Sequence, residues 1–410
     1  VNATTNTFKF NARMAALSLV PFIMVLGNSI LIPVIPAIQS ALRLSPASSG
    51  LIITAFSVPA GLFIPVAGFL ADRFGRKAVM VPGLVIYAIG GFISVAAALF
   101  LGSGAFGLLM VGRVVQGLGA AGTANIAMAL AGDLYSGAAR GQSLGVLEAA
   151  NGLGKVLSPI LGAALGLVAW FAPFIFFSVL TIPATLAVVF WVKEGRTAER
   201  SPAGEYFGSI LRVFSKKGLP LGAAFFAGMV ALFLLFGTLF YLSETLETEF
   251  RLQGVTKGLV LAVPVLASSI TAYLTGAYLQ ERVNRRHLVS SGLALMALAL
   301  ASLTVLRHPY YVYGAIFLVG AGTGAVLATL NVLVTGAVRQ SRRGMITSDY
   351  GAVRFFGVAL GPPLFGLLME RGSVVLFGVA ASVGVLAAVL NLVFLDPGRL
   401  LGEARGGGPS

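Results

Sequence analysis

The chain has 410 residues, 57% of them hydrophobic and 10% charged, with a mean hydropathy of +0.94. A soluble protein carries about 25% charged residues, so this surface faces something apolar, and at about 20 apolar residues per span the chain holds about a dozen membrane helices. The formal charge of +14 would suggest nucleic acid in a soluble domain, but it also fits the Lys/Arg excess of cytoplasmic loops. With no Cys and two His, disulfides and thiolate metal sites are excluded, and neither a metal nor another cofactor is expected.

Polar residues Val1–Arg13 run straight into the first apolar stretch with no A-x-A-like cleavage site, so no signal peptide is expected. Apolar stretches then place spans near 14–37, 48–71, 78–100, 106–132, 143–168, 172–192, 218–243, 255–279, 288–306, 310–336, 345–369 and 373–395. They are apolar throughout and lack the alternation of a membrane barrel. The expected fold class is an all-α polytopic membrane protein with twelve transmembrane helices. The longest polar stretch, Lys193–Lys217, divides it into an N-terminal bundle (1–192), a cytoplasmic linker (193–217) and a C-terminal bundle (218–396). Residues 397–410, rich in Gly at the end, are expected as a disordered tail.

Most Lys and Arg lie in loops on the side of the termini, among them Arg73, Arg76, Lys77, Arg140, Arg282, Arg285, Arg286, Arg339, Arg342 and Arg343. The opposite loops hold only Arg43, Arg251, Lys257, Arg307 and Arg371. Both termini are therefore expected in the cytoplasm. The halves also repeat each other. Asp72-Arg73-Phe74-Gly75-Arg76-Lys77 after the second span matches Glu281-Arg282-Val283-Asn284-Arg285-Arg286 after the eighth, in acid, Arg and basic pair. Arg140-Gly141, Gly154 and Pro159 recur at identical offsets as Arg343-Gly344, Gly357 and Pro362. Duplicated halves are a common transporter architecture, with cargo bound at the repeat interface near mid-membrane.

These residues carry a resemblance. Gly68-Phe69-Leu70-Ala71-Asp72-Arg73-Phe74-Gly75-Arg76-Lys77 resembles the loop motif of the major facilitator superfamily. Gly112-Arg113-Val114-Val115-Gln116-Gly117 is similar to the motif bearing a membrane-embedded Arg in proton-coupled members. Gly145, Gly154, Ser158-Pro159 and Gly162-Ala163 are similar to the antiporter motif of the twelve-span drug/proton exporters, with Ser158 and Ala163 where Gly is usual. The resemblance implies two pseudo-symmetric six-helix bundles, the major facilitator fold, working by alternating access. A carboxylate is attracted to a helix N-terminus, so Asp72 is expected to dock against the start of the eleventh span, around Gly344.

Arg113, Glu148, Lys155 and Arg354 fall well inside spans, where an unpaired charge costs about 2.5–3.5 kcal/mol. Glu148, Asn151 and Lys155 recur at i, i+3 and i+7 on one helical face. The sharpest reading makes Glu148 the carrier of the coupling proton, with Arg113 and Lys155 responding to its charge; a static ion pair is the alternative. Asn28, Gln116, Asn151, Lys155, Phe233, Phe236 and Arg354 are candidate cargo contacts, and the cation surplus favours anionic or zwitterionic cargo. The chain lacks a Walker-type nucleotide loop and a cluster of catalytic groups. The expected function is proton-coupled export of amphipathic small molecules or drugs across the cytoplasmic membrane, by a monomer in contact with membrane lipids. The alternative is a flippase or exporter of anionic or zwitterionic lipids or metabolites.

Overall fold

The computed structural model describes residues 10–194, 203–280, 282–306, 308–338 and 343–405. Among these there is no strand. Twelve long helical segments follow in order: α1 (Ala12–Leu42), α2 (Pro46–Phe74), α3 (Arg76–Gly104), α4 (Phe106–Leu134), α5 (Gly137–Gly166), α6 (Ala172–Trp191), α7 (Lys217–Thr248), α8 (Gly254–Leu279), α9 (Arg285–Ser302), α10 (Pro309–Gly336), α11 (Arg343–Met369) and α12 (Ser373–Phe394). Ten of them are long and apolar enough to cross a membrane. The other two are long enough but polar in places: α5 carries Glu148 and Lys155, and α9 opens on Arg285-Arg286-His287.

Local chemistry sets the ends. Asn11 caps α1 by accepting from Met14 N at 3.0 Å, and Ser45 caps α2 by accepting from Ser48 N at 3.2 Å, just before Pro46. Capping side chains satisfy backbone N–H groups that the first turn leaves without partners. Inside α1, Pro33 and Pro36 tighten the chain into a 3-10 turn at Ile32–Val34. Pro36 has no N–H to return to Ile32 O as an α-helix would; Ile35 N–H donates to it instead, and a second lone pair remains for a partner outside the helix.

The linker is helical in part, and one expectation, that of the tail, needs correction. The polar stretch before α7 is helical from Ala203, continuous with α7 except for a non-helical Lys217 (φ −122, ψ 20). The residues after 396 are not wholly a disordered tail, because Pro397–Arg405 form a further helix, α13. Asp396 Oδ1 accepts from Arg399 N at 3.1 Å, and Leu400 is buried. Buried Lys217 Nζ donates to Leu400 O (2.7 Å) and Ala337 O (2.9 Å), joining α7, α13 and the end of α10.

The halves meet along two helix pairs, α2 with α11 and α5 with α8. Contact in the first pair runs from Pro46 beside Gly366, through Thr54 Oγ1 donating to Ala359 O at 2.6 Å, to Gly61 beside Ala352. In the second, Gly258 packs on Pro159, Ile160 and Ala163. Except for Gly61 and Ala352, near mid-helix, these residues lie in the half of each helix away from the basic loops. Toward the basic loops the pairs separate: Gly141, Gly145, Gly152, Gly276 and Gly344 all face open space. The core follows the same division. One large cluster spans both halves, while Met14, Leu17, Ile64, Met80, Ile126, Leu130 and Val188 form a second cluster that includes Ala352 alone from the C-terminal half among its buried members. The molecule is closed at one end and open at the basic end.

Candidate functional site

At the basic end the loop motif binds its own bundle. Gly75 adopts φ +108, a left-handed value suited to Gly, and an ideal Cβ there would stand 3.1 Å from Glu194 Oε2. The Glu194 carboxylate caps α3, accepting from Arg76 N at 2.6 Å and Lys77 N at 2.9 Å. Lys77 Nζ donates to Val189 O (2.6 Å) and Val192 O (2.8 Å) at the end of α6. Arg76 pairs with Asp72, and at 3.3 Å with Asp133, while exposed Arg73 lies over the Phe74 ring at 5.7 Å. Asp72 is not docked on α11, because the two halves stand apart here and Gly344 has open space around it. Gly68 lies one turn before Asp72 in the last stretch of α2.

The second half repeats the device. Arg286, the counterpart of Lys77, donates to Leu395 O just past α12, as Lys77 does to Val192 O just past α6. Asn284 caps α9 by accepting from Arg286 N at 2.9 Å. Glu281, the counterpart of Asp72, is outside the described residues.

Arg113 is fully buried inside the N-terminal bundle. Its Nε donates to Ile52 O (3.1 Å), and its Nη1 to Gly27 O (2.9 Å) and to Gln116 Oε1. Its guanidinium carbon lies 4.5 Å from the centre of the Phe56 ring. Backbone carbonyls of α1 and α2 thus receive this charge. Beside it Tyr87 donates to Ile23 O at 3.0 Å, and Asn28 donates to Ser57 Oγ at 3.5 Å. Nη2 of Arg113, Nε2 of Gln116 and Oδ1 of Asn28 are buried without partners.

Helix α5 displays three faces. Gly154 packs on Phe22 of α1 and Gly162 on Ile30 O, with Ser158 between them returning its hydroxyl to Gly154 O at 2.7 Å. Pro159 and Ala163 face α8. Leu153, on the reverse side, is 54% exposed. Gly145 of the same motif touches nothing within 4 Å. Between the α1 and α8 faces stand Glu148, Asn151 and Lys155, the first and last of them exposed. Across the gap on α11 is Arg354, whose charge reaches Lys155 together with that of Glu148. Because α11 packs on α2 and α7, and α5 on α1 and α8, these three charged groups face one another across the opening between the halves. Phe233 rests on Phe365 with ring centres 5.7 Å apart, and Phe236 is half-buried in the core.

Several residues had no warning in the linear pattern. Lys257, in a stretch read as an outer loop, is 2% exposed and donates to Pro33 O (2.8 Å) and Glu247 Oε2 (2.6 Å). Ser243 donates to Ile32 O at 2.7 Å. These bonds fasten α7 and α8 to the 3-10 turn of α1 at the closed end; the doubled prolines of that turn were the available signal. Asp349 on α11 is 9% exposed, with Oδ2 buried and unpartnered. No group of three or more potential metal ligands occurs among the described residues.

Twelve helices in two six-helix halves with matching loop clasps define a multi-pass membrane transporter rather than an enzyme. The chain belongs to the Major Facilitator Superfamily, whose family model matches residues 17–253 and 224–408. It is similar to the bacillibactin exporter of Bacillus subtilis (strain 168), at 39% identity over 93% of this chain and 96% of that protein. It also resembles the multidrug efflux protein YfmO of the same organism, at 27% identity over 95% of this chain and 96% of that one. The crystal structure of a D-xylose-proton symporter shares the fold, with a TM-score of 0.74 over 94% of this chain and 98% of that chain at 14% identity.

Proposed function

We propose that the chain is an efflux transporter of the cytoplasmic membrane that moves amphipathic small molecules outward by alternating access in exchange for protons. The observation that carries this reading is the facing set Glu148, Lys155 and Arg354, drawn from both halves and open only at the basic end. The basic end lies in the cytoplasm on this reading, by the Lys/Arg bias, and the opening accepts cargo from that side. Glu148 is the coupling carboxyl, with Lys155 as its charged neighbour. Arg113, held by backbone carbonyls, keeps α1, α2 and α4 in register. Asp72 seals the basic end by reaching α11 once the halves close there. The protein acts as a monomer, and its export of small molecules parallels the relatives named above.

The experiment uses inside-out vesicles, acidified inside, with bacillibactin and a fluorescent cationic amphiphile as cargoes. Uphill accumulation that collapses with the pH gradient is expected, along with its loss in Glu148→Gln. Asp72→Asn is expected to slow turnover at least 10-fold while cargo affinity stays within twofold. Transport indifferent to the gradient, or a normal rate in both variants, would overturn the proposal. A second reading, export of anionic or zwitterionic lipids or metabolites, is favoured by the two cations facing one acid, and charged lipid cargoes in the same vesicles distinguish it.

A further inference from the structure

We infer that the opening between the halves seats a zwitterionic amphiphile, whose anionic group bridges Lys155 and Arg354 and whose cationic group settles at Glu148 and displaces its proton. The inference rests on the proton-exchange reading above and adds to it the charge pattern of the cargo.

Three observations define the seat. First, among the described residues none of Glu148, Lys155 and Arg354 makes an ion pair or a side-chain hydrogen bond. Each lacks an oppositely charged side chain in contact with it, a costly arrangement for intramembrane ionisable groups unless it has a function. Second, Arg354 is held in place. Its guanidinium carbon lies 4.6 Å from the centre of the Tyr350 ring, and Tyr350 is wedged between Phe225, 5.3 Å away, and Gly228. That stack orients the guanidinium before any anion arrives, which lowers the cost of binding one, and its Nε is buried with no acceptor. Asn151, one turn below Lys155 on the same face, likewise has a buried, unpartnered Oδ1. Third, Glu148 and Lys155 are seven residues apart on α5, about 10 Å along the helix, so the negative and positive ends of the seat are separated by a fixed distance.

The surroundings of Glu148 keep this pattern simple. Of the helices packed on α5, α1 has no charged residue between Arg13 and Arg43, and α6 has none. Helix α4 contributes Arg113 and Asp133, both already engaged. Helix α8 contributes Lys257, bound at the far end, and Tyr273 and Tyr278. On α5 itself stand Lys155 and, two turns before Glu148, exposed Arg140; across the opening α11 brings Arg354 and, five residues before it, Asp349 with its buried Oδ2.

The sign of proton linkage then selects the cargo. A purely anionic cargo beside Lys155 would favour protonation of Glu148 and so draw a proton in with it, opposite to exchange. A purely cationic cargo would expel the proton but would face two cations for one acid. A molecule carrying both charges about 10 Å apart satisfies all three groups, and on loading it sends the Glu148 proton to water. Linkage is reciprocal, so a proton arriving from the other side expels the cargo.

The test uses the full chain in nanodiscs of neutral lipid and three probes of one chain length: 8-aminooctanoate, octanoate and octylamine. Binding is read by calorimetry in buffers of different ionisation enthalpy, which also counts protons. The expected result is binding of 8-aminooctanoate at least 10-fold tighter than of either other probe, with net proton release. Glu148→Gln should abolish the release, and Lys155→Gln or Arg354→Gln should remove the preference over octylamine, with melting temperatures checked for each variant. No binding of any probe, equal binding of octanoate, proton uptake, or release that persists in Glu148→Gln would each overturn the seat. Uphill, gradient-dependent export that survives any of those results would leave the efflux reading standing, so the two fail separately.

Discussion

Replacing Lys257 by Met together with Glu247 by Gln removes the strap at the closed end together with the carboxylate that pairs with it. Of the two bonds that Lys257 Nζ makes, the one to Pro33 O, 2.8 Å, crosses between the halves, while Glu247 belongs to the same half as Lys257. A hydrogen bond from a charged donor contributes about 1.5–3 kcal/mol. This one exists only while α8 lies against the 3-10 turn of α1, so its whole loss falls on the conformation described above. At 1.4 kcal/mol per factor of ten, the ratio of that conformation to one closed at the basic end should fall about 10- to 150-fold. The chain contains no Cys, so spin labels can be placed cleanly at Phe74 and Val283, both exposed at the basic end on opposite halves. Electron–electron double resonance should show a shorter-distance population growing in the double variant, whereas Glu247→Gln alone should leave the distribution as it is. An unchanged distribution in the double variant would refute the strap as a conformational determinant.

Three further outcomes follow from the packing. Gly162→Leu should drive a side chain into Ile30 O and abolish the fold, whereas Gly145→Ala, with nothing within 4 Å, should hold or raise the melting temperature; thermal unfolding in detergent compares them. Arg113→Met should cost about 1–3 kcal/mol, the usual penalty for leaving a buried acceptor such as Gln116 Oε1 unsatisfied, and Arg113→Lys should recover only part of it because one ammonium cannot reproduce the forked contacts; denaturant unfolding reads the difference. Glu194→Ala leaves two N–H groups of α3 without their acceptor and should destabilise the N-terminal bundle by about 1–2 kcal/mol, checked by hydrogen exchange at Arg76 and Lys77.

The span pattern and the half-to-half repeat could be read directly because membrane burial demands long apolar runs, and twelve of them cannot hide. The polar sites were harder, since a residue's meaning depended on which backbone carbonyls fold beside it. Arg113 looked like a partner for Glu148, yet the carbonyls of Gly27 and Ile52 that receive it belong to residues with no polar side chain to betray them. Lys257 reads as an outer-loop residue because a lone cation near a helix start usually sits in water, and nothing in its neighbours signals the turn of α1 that it meets. Glu194 stood in a stretch read as linker, and its role required knowing that α6 ends beside the start of α3. The face shared by Glu148, Asn151 and Lys155 could be recognised because helical periodicity alone fixes it.

The matched clasps of Lys77 on Val192 and Arg286 on Leu395 carry a mechanical consequence. Each ties the third helix of its six to the sixth, so each half is hooped like a barrel at the end that must swing widest. Basic residues usually credited with orienting a chain during insertion also stiffen the levers, and cutting one hoop should soften a single lever while its twin stays taut.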